Sequence, residues 1–223
     1  AVRTIVRVPD WTDDRALFAA AARTSPASAK AAYNLGMLLL KGGDPAGAIP
    51  WLERAVDNAR GLARGRADLM RDLATALEAT GRRDEALSLL ERARRSEPGH
   101  SGVLINLGNM LAARGDSALA IDAYDEALAL EPDHAGGLTN RARMLLRTGR
   151  PGDAERAVAD LERVSSAAPG MSEALYHLGE AYAAAGRRQD AAAAFRRFLD
   201  RAGPDQESLA RAARRRLDQI EEN

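Results

Sequence analysis

LINLGNMLAARGDSALAIDAYDEALALEP, residues 104–132, is the stretch that decides the fold. Leu104, Leu107 and Leu111 fall three and four residues apart, the spacing that puts apolar side chains on one face of an α-helix. Gly115 ends that run, as a glycine does where a helix closes in the left-handed conformation. A second apolar run follows through Ala120 and Tyr124 and closes at Pro132. Outward from this stretch, the glycine returns at Gly43, Gly81, Gly149 and Gly186, with successive intervals of 38, 34, 34 and 37 residues. Seven residues before each glycine stands a small residue: Gly36, Ala74, Gly108, Ala142 and Gly179. Five after it stands Ala48, Ala86, Ala120, Ala154 or Ala191, and four further on Leu52, Leu90, Tyr124, Val158 or Phe195. A period of this length belongs to stacked helical units, not to one globular core.

The pattern resembles the tetratricopeptide repeat, L-G-x2-Y…A-x3-F…P, whose unit of 34 residues is a pair of antiparallel helices. The resemblance implies an all-α protein, an α-solenoid of about five repeats wound as a right-handed superhelix of 12 helices. The repeats are expected at 29–62, 67–100, 101–134, 135–171 and 172–205. Residues 12–28 read as the second helix of an incomplete repeat, with Phe18, Ala21 and Pro26 in its later positions. Residues 206–223 read as a C-terminal capping helix with Leu209, Ala213, Leu217 and Ile220 inward and Arg214–Arg216 in water; a polar last face keeps a solenoid end soluble. In residues 1–11, Val2, Ile5, Val6 and Val8 alternate with Arg3 and Arg7, which predicts an extended lead-in or a short strand.

Within each repeat, the small residue of the first helix lets the second helix approach closely. Asp44–Pro45 marks a restart, with Asp as cap and Pro at the first helical position, where its missing N–H is not needed. Pro50, inside the second helix of the first repeat, predicts a kink. The 38-residue interval predicts about one extra helical turn of chain around Gly61–Arg66.

Ala supplies about a fifth of the residues and aromatics 4%, so the core depends on close helix contact more than on bulky anchors. Basic and acidic residues number 32 each, and no basic face with aromatic platforms stands out, which argues against nucleic acid. With no Cys there is no disulfide, thiolate catalysis or thiolate metal site. No apolar run approaches the ~18–20 residues of a membrane span, so direct membrane insertion of this segment is not expected. The chain opens on Ala1 and is expected to be a fragment or a processed product. Metalloprotease, nucleophile-elbow, phosphate-loop and dinucleotide motifs are absent. His100 and His134 occupy one loop position twice and read as solvated. Neither a catalytic site nor a cofactor is expected.

The candidate site is the face made by the first helices. Just before the L-G pair stand Asn34, Asp72, Asn106, Asn140 and His177, all polar beside the core stripe. A primary amide both donates and accepts, so a row of Asn can pair with successive peptide groups of an extended ligand. The row resembles the asparagine ladder in the tetratricopeptide superhelix of O-GlcNAc transferase, from which Asp72 and His177 depart. The alternative is that each amide bonds a neighbouring helix. Tyr33, Met37, Arg71, Asn109, Arg143, Tyr176 and Glu180, with Thr75, Ile105 and Thr139, complete the face. Tyr33 and Met37 stand where the carboxylate clamp of chaperone-binding tetratricopeptide domains has Lys and Asn, which disfavours capture of chaperone C-termini. Arg141 takes the place of Leu35, Leu73, Leu107 and Leu178, and a charge there needs a carboxylate partner or a route to the groove.

Arg3-Thr4-Ile5-Val6-Arg7, Asp10-Trp11-x-Asp13-Asp14 and Leu17-Phe18 resemble the junction between the last membrane segment and the repeats in transmembrane, tetratricopeptide-containing O-mannosyltransferases and their bacterial relatives. That resemblance implies repeats on the extracytoplasmic side, engaging acceptor proteins; without it a cytoplasmic setting is expected. The leading reading is a non-catalytic module that binds a protein or peptide partner in its groove. The rival is an architectural scaffold or homo-oligomer that acts through its outer helices.

Overall fold

The structure, a computed structural model, describes residues 14–60 and 65–222. The expected lead-in, the junction around Trp11 and part of the 59–66 connection lie outside the described residues. Among the described residues there are 12 α-helices and no strand: α1 (Asp14–Thr24), α2 (Ala29–Lys41), α3 (Pro45–Asn58), α4 (Arg66–Ala79), α5 (Arg83–Ser96), α6 (Ser101–Arg114), α7 (Ser117–Leu130), α8 (Ala135–Thr148), α9 (Asp153–Ala167), α10 (Ser172–Ala184), α11 (Arg188–Leu199) and α12 (Glu207–Glu221). The chain forms two compact units, Ala1–Val103 and Leu104–Asn223. In the first, each helix from α1 to α5 packs on the next, and α2 also touches α4. In the second, α7 to α12 do the same, and α8 also touches α10. First helices therefore lie side by side within each unit, each backed by its second helix.

The small-large positions explain this packing. A Cβ on Gly108 would lie 2.5 Å from the Tyr124 ring, and one on Gly179 would lie 2.6 Å from Phe195. Tyr124, Phe195, Leu52 and Leu90 are each almost fully buried, as are the small residues Ala74 and Ala142 of the first helices. Burying such a side chain contributes about 1.5–3 kcal/mol, available here only because the facing helix carries no bulk. At four of the five repeat glycines the helix closes with the residue after the glycine donating five back: Asp44 to Leu39, Arg82 to Leu77, Asp116 to Leu111 and Arg187 to Tyr182, at 2.8–3.0 Å.

α3 ends at Asn58 and α4 begins at Arg66. Gly65, with φ +82°, opens α4 without a side chain to cap it, and Glu97 Oε1 accepts from the Ala67 N–H at 3.0 Å instead. In the fourth repeat, Arg150–Gly152 precede α9, and Ala157 and Leu161 are fully buried while Ala154 is half-buried, so the small and large positions expected at Ala154 and Val158 fall three residues later. α3 continues through Pro50 as one helix, with Asp44 Oδ1 accepting from Gly47 N at 2.8 Å at its start.

Arg141 finds its carboxylates inside the second unit. Nε and Nη2 donate to the two oxygens of Asp160 at 2.8 and 2.6 Å, and Nη1 donates to Asp125 at 2.6 Å. Asp160 is 4% exposed, and the bond to it is the largest cause raising the guanidinium pKa above its usual value. The network ties α8 to both α7 and α9.

Two expectations are corrected here. His100 and His134 are not simply solvated: each imidazole Nδ1 caps a helix, accepting from Val103 N at 3.3 Å and Gly137 N at 2.9 Å. In α12, Ala213 and Leu217 are buried with Ala210, and Leu209 and Ile220 pack beside them, but Arg216 is not free in water; it pairs with Glu180.

Candidate functional site

In the first compact unit, α2 presents Tyr33, Asn34 and Met37 around a cleft of ≈ 290 Å³ that Phe18, Leu38 and Lys41 complete. Tyr33 Oη donates to Asp72 Oδ2 at 2.8 Å, linking α2 to α4. Arg71 donates to the other Asp72 oxygen at 3.0–3.1 Å and pairs with Asp68 at 2.7 Å. Burial, followed by the Asp72 bond, pushes the Tyr33 phenol up to about 12. The rung at Asp72 is thus engaged by its neighbours. Asn34, one residue from Tyr33, makes no side-chain hydrogen bond among the described residues.

In the second unit, α6 and α8 enclose a larger cleft of ≈ 470 Å³, lined by Asn109, Ala112, Ala113, Tyr124, Asn140, Arg143, Met144 and Arg147. Asn109 Oδ1 accepts from Tyr124 Oη and from Asn140 Nδ2, both at 2.8 Å. Arg143 Nη1 reaches Asn140 Oδ1 at 3.5 Å, and Arg147 Nη1 donates to the Ala112 carbonyl at 3.2 Å. Asn106, half-buried, has no side-chain hydrogen bond among the described residues. Of two successive Asn rungs, then, one is tied to the neighbouring helix and one is unpaired.

At the last repeat, His177 Nε2 lies 3.3 Å from Glu173, and the imidazole pKa is lowered first by burial and then by the Arg143 charge. Tyr176 stacks edge-on against Phe198 and His177 and belongs to the rim of the C-terminal core. Glu180 takes Arg216 Nε and Nη2 at 2.9 and 3.0 Å, so it clamps α12 to α10.

The structure thus gathers Asn109, Asn140 and Arg143 at one cleft and Tyr33, Asn34 and Met37 at another, and engages Asp72, Tyr176 and Glu180 in contacts of their own. Ile105 and Thr139, expected on the face, are buried packing residues. Sequence reasoning misses Arg147 and the Tyr124 hydroxyl. Arg147 lies four residues after Arg143 and so shares its helix face, while a Tyr at a position otherwise filled by Leu, Val or Phe carries a hydroxyl that needs a partner. No helix among the described residues is long and apolar enough to cross a membrane.

Two tetratricopeptide repeat family models match the sequence, one over residues 27–96 and the other over 71–135, 106–161 and 139–207. The chain belongs to the tetratricopeptide repeat family, a class of helical protein-interaction modules. No curated protein matches it in sequence. Among solved structures it is similar to YrrB, described as a tetratricopeptide protein with an unusual peptide-binding site, at 19% identity and TM-score 0.67, covering 89% of this chain and 97% of that one. It is similar to MamA from Desulfovibrio magneticus RS-1, at 17% identity and TM-score 0.66 over 78% and 94% of the two chains. Yeast Tom70 matches at 18% identity and TM-score 0.70, over 96% of this chain but 44% of Tom70. At these identities the likeness speaks to the fold.

Proposed function

We infer that the chain is a non-catalytic interaction module that holds an extended polypeptide against the face of its first helices. The observation that carries this is Asn106, a carboxamide on that face with no side-chain partner among the described residues, next to a cleft whose Asn109 and Asn140 retain free N–H groups. A peptide backbone offers the alternating carbonyls and N–H groups that such amides can take. The peptide-binding site named for YrrB, on a similar fold, supports the same use. The resemblance of the N-terminal stretch adds a finer reading, in which the repeats engage protein acceptors for a membrane-embedded glycosyl transfer region of the same protein. To test the main reading, a displayed random-peptide library is selected on the chain and a photo-crosslinking version of a recovered peptide is mapped. Crosslinks on α2, α4, α6, α8 or α10 are expected; crosslinks confined to α3, α5, α7 or α9 would refute it.

The scaffold reading has one observation of its own. On the second-helix side of the first unit, a cleft of ≈ 540 Å³ is lined by apolar Val56, Leu73, Leu77 and Leu89 and by both acidic (Glu53, Asp57, Asp84, Glu85) and basic (Arg60, Arg92) side chains. Crosslinks at that cleft on its α3 and α5 residues would favour docking through the outer helices.

A further inference from the structure

The cleft between α6 and α8 is lined by donors whose neighbouring acceptors are already used. Asn109 Oδ1 has two lone pairs and accepts two hydrogen bonds, from Tyr124 and Asn140. Asn140 Oδ1 faces the Arg143 guanidinium. What remains toward the cleft is the Asn109 amide N–H pair, one N–H of Asn140, and two guanidiniums. Arg147 gives one N–H to the Ala112 carbonyl, which steadies it across the cleft. Neither Arg143 nor Arg147 forms an ion pair among the described residues. In the same compact unit Arg141, Arg156, Arg163, Arg187, Arg196 and Arg216 form ion pairs, whereas Arg150, Arg188, Arg197, Arg201 and Arg215 form none among the described residues. Arg143 and Arg147 differ from the latter in lining a cleft together. Ala112 and Ala113 leave room for a backbone to come close. The Arg143 charge is felt as far as α10, where, after burial, it lowers the pKa of the His177 imidazole.

We propose that this cleft selects an acidic side chain, Asp or Glu, within an extended polypeptide: Arg143 and Arg147 take its carboxylate, and the free N–H groups of Asn109 and Asn140 take an adjacent backbone carbonyl. The proposal rests on the reading that this face binds polypeptide and names what the second unit recognises. It requires no chain terminus, since the ligand anion is a side chain. Charge-assisted bonds from guanidinium to carboxylate are about twice as strong as neutral ones, which makes the anion the source of selectivity.

The test is fluorescence anisotropy of the whole chain with short labelled peptides of Ser, Ala and Gly bearing a central Glu-Glu, Gln-Gln or phosphoserine pair. The Glu-Glu peptide is expected to bind about tenfold more tightly than Gln-Gln, with the preference shrinking in high salt. An Arg143→Gln/Arg147→Gln double variant is expected to lose that preference at an unchanged melting temperature, and Arg143→Lys to keep part of it. Equal affinity for Glu-Glu and Gln-Gln overturns acidic selection while leaving polypeptide binding intact. Binding of the phosphoserine peptide alone overturns the carboxylate assignment in favour of phosphate. If none of the three binds and the library selection yields peptides lacking acidic residues, the proposal fails alone; if the library also yields nothing, it fails together with the reading beneath it.

Discussion

Arg141 and Arg143 sit two residues apart on α8 and live in different chemistry. Arg141 turns into the seam between first and second helices, where Asp160 and Asp125 meet its guanidinium with three bonds of 2.6–2.8 Å. Arg143 turns to the first-helix face, where it meets a carboxamide at 3.5 Å and, among the described residues, no carboxylate. A buried charge must be answered by the fold itself, since desolvation left uncompensated costs several kcal/mol. A charge at a cleft is answered by water until a ligand displaces it. The difference separates architecture from recognition more cleanly than residue type does, because both residues are arginines and both lie beside the same core.

The seam should give the largest effects. Asp160→Ala leaves the Arg141 guanidinium without its bidentate partner and is expected to cost about 3–5 kcal/mol in urea unfolding. Adding Arg141→Leu, which restores the leucine of the other repeats, should recover most of that loss; no recovery would show that the pair is not the origin of the cost. Gly108→Ala drives a methyl into the Tyr124 ring and is expected to destabilise by about 1–3 kcal/mol by thermal melting. Tyr124→Phe keeps the packing and removes only the bond to Asn109, for an expected loss of about 0.5–1.5 kcal/mol.

A pH dependence sharpens the contrast at the end of the face. Burial, with Arg143 second, holds the folded His177 imidazole below its ordinary value of 6.5. As pH falls through about 6.5 the unfolded chain takes up that proton first, so stability declines until the folded imidazole is also protonated. His177→Asn should flatten that acid limb of the melting curve. Smallest of all, Arg143→Gln and Arg147→Gln should each move stability by less than about 0.5 kcal/mol, since neither completes a buried pair.

Much of this architecture is legible in the sequence because it depends on volume and spacing. Gly108 and Tyr124, or Gly179 and Phe195, lie sixteen residues apart, and a small residue opposite a large one is what two close helices need. The demand of Arg141 for a carboxylate is equally legible, since it occupies a leucine position. Which carboxylate answers is not, because Asp160 lies on another helix whose rotation sequence spacing does not define. The histidine caps escape notice because they depend on ring orientation: Nδ1 must turn back to the N–H three residues on. Arg216 reads as one member of a solvated Arg214–Arg216 run, yet its place on α12 carries it to Glu180. The amide row is visible as a pattern, but it does not say that Asn140 is held by Asn109 while Asn106 has no partner among the described residues.

That last distinction gives the most direct test of the account. Asn106→Ala is made in the whole chain, and its melting temperature and its affinity for a library-selected peptide are measured together. An unpartnered amide that serves a ligand predicts an unchanged melting temperature and an affinity loss of about 1–2 kcal/mol, the scale of a hydrogen bond whose partner is left stranded. A fall in melting temperature with affinity intact would contradict it, and would make the row of amides part of the scaffold.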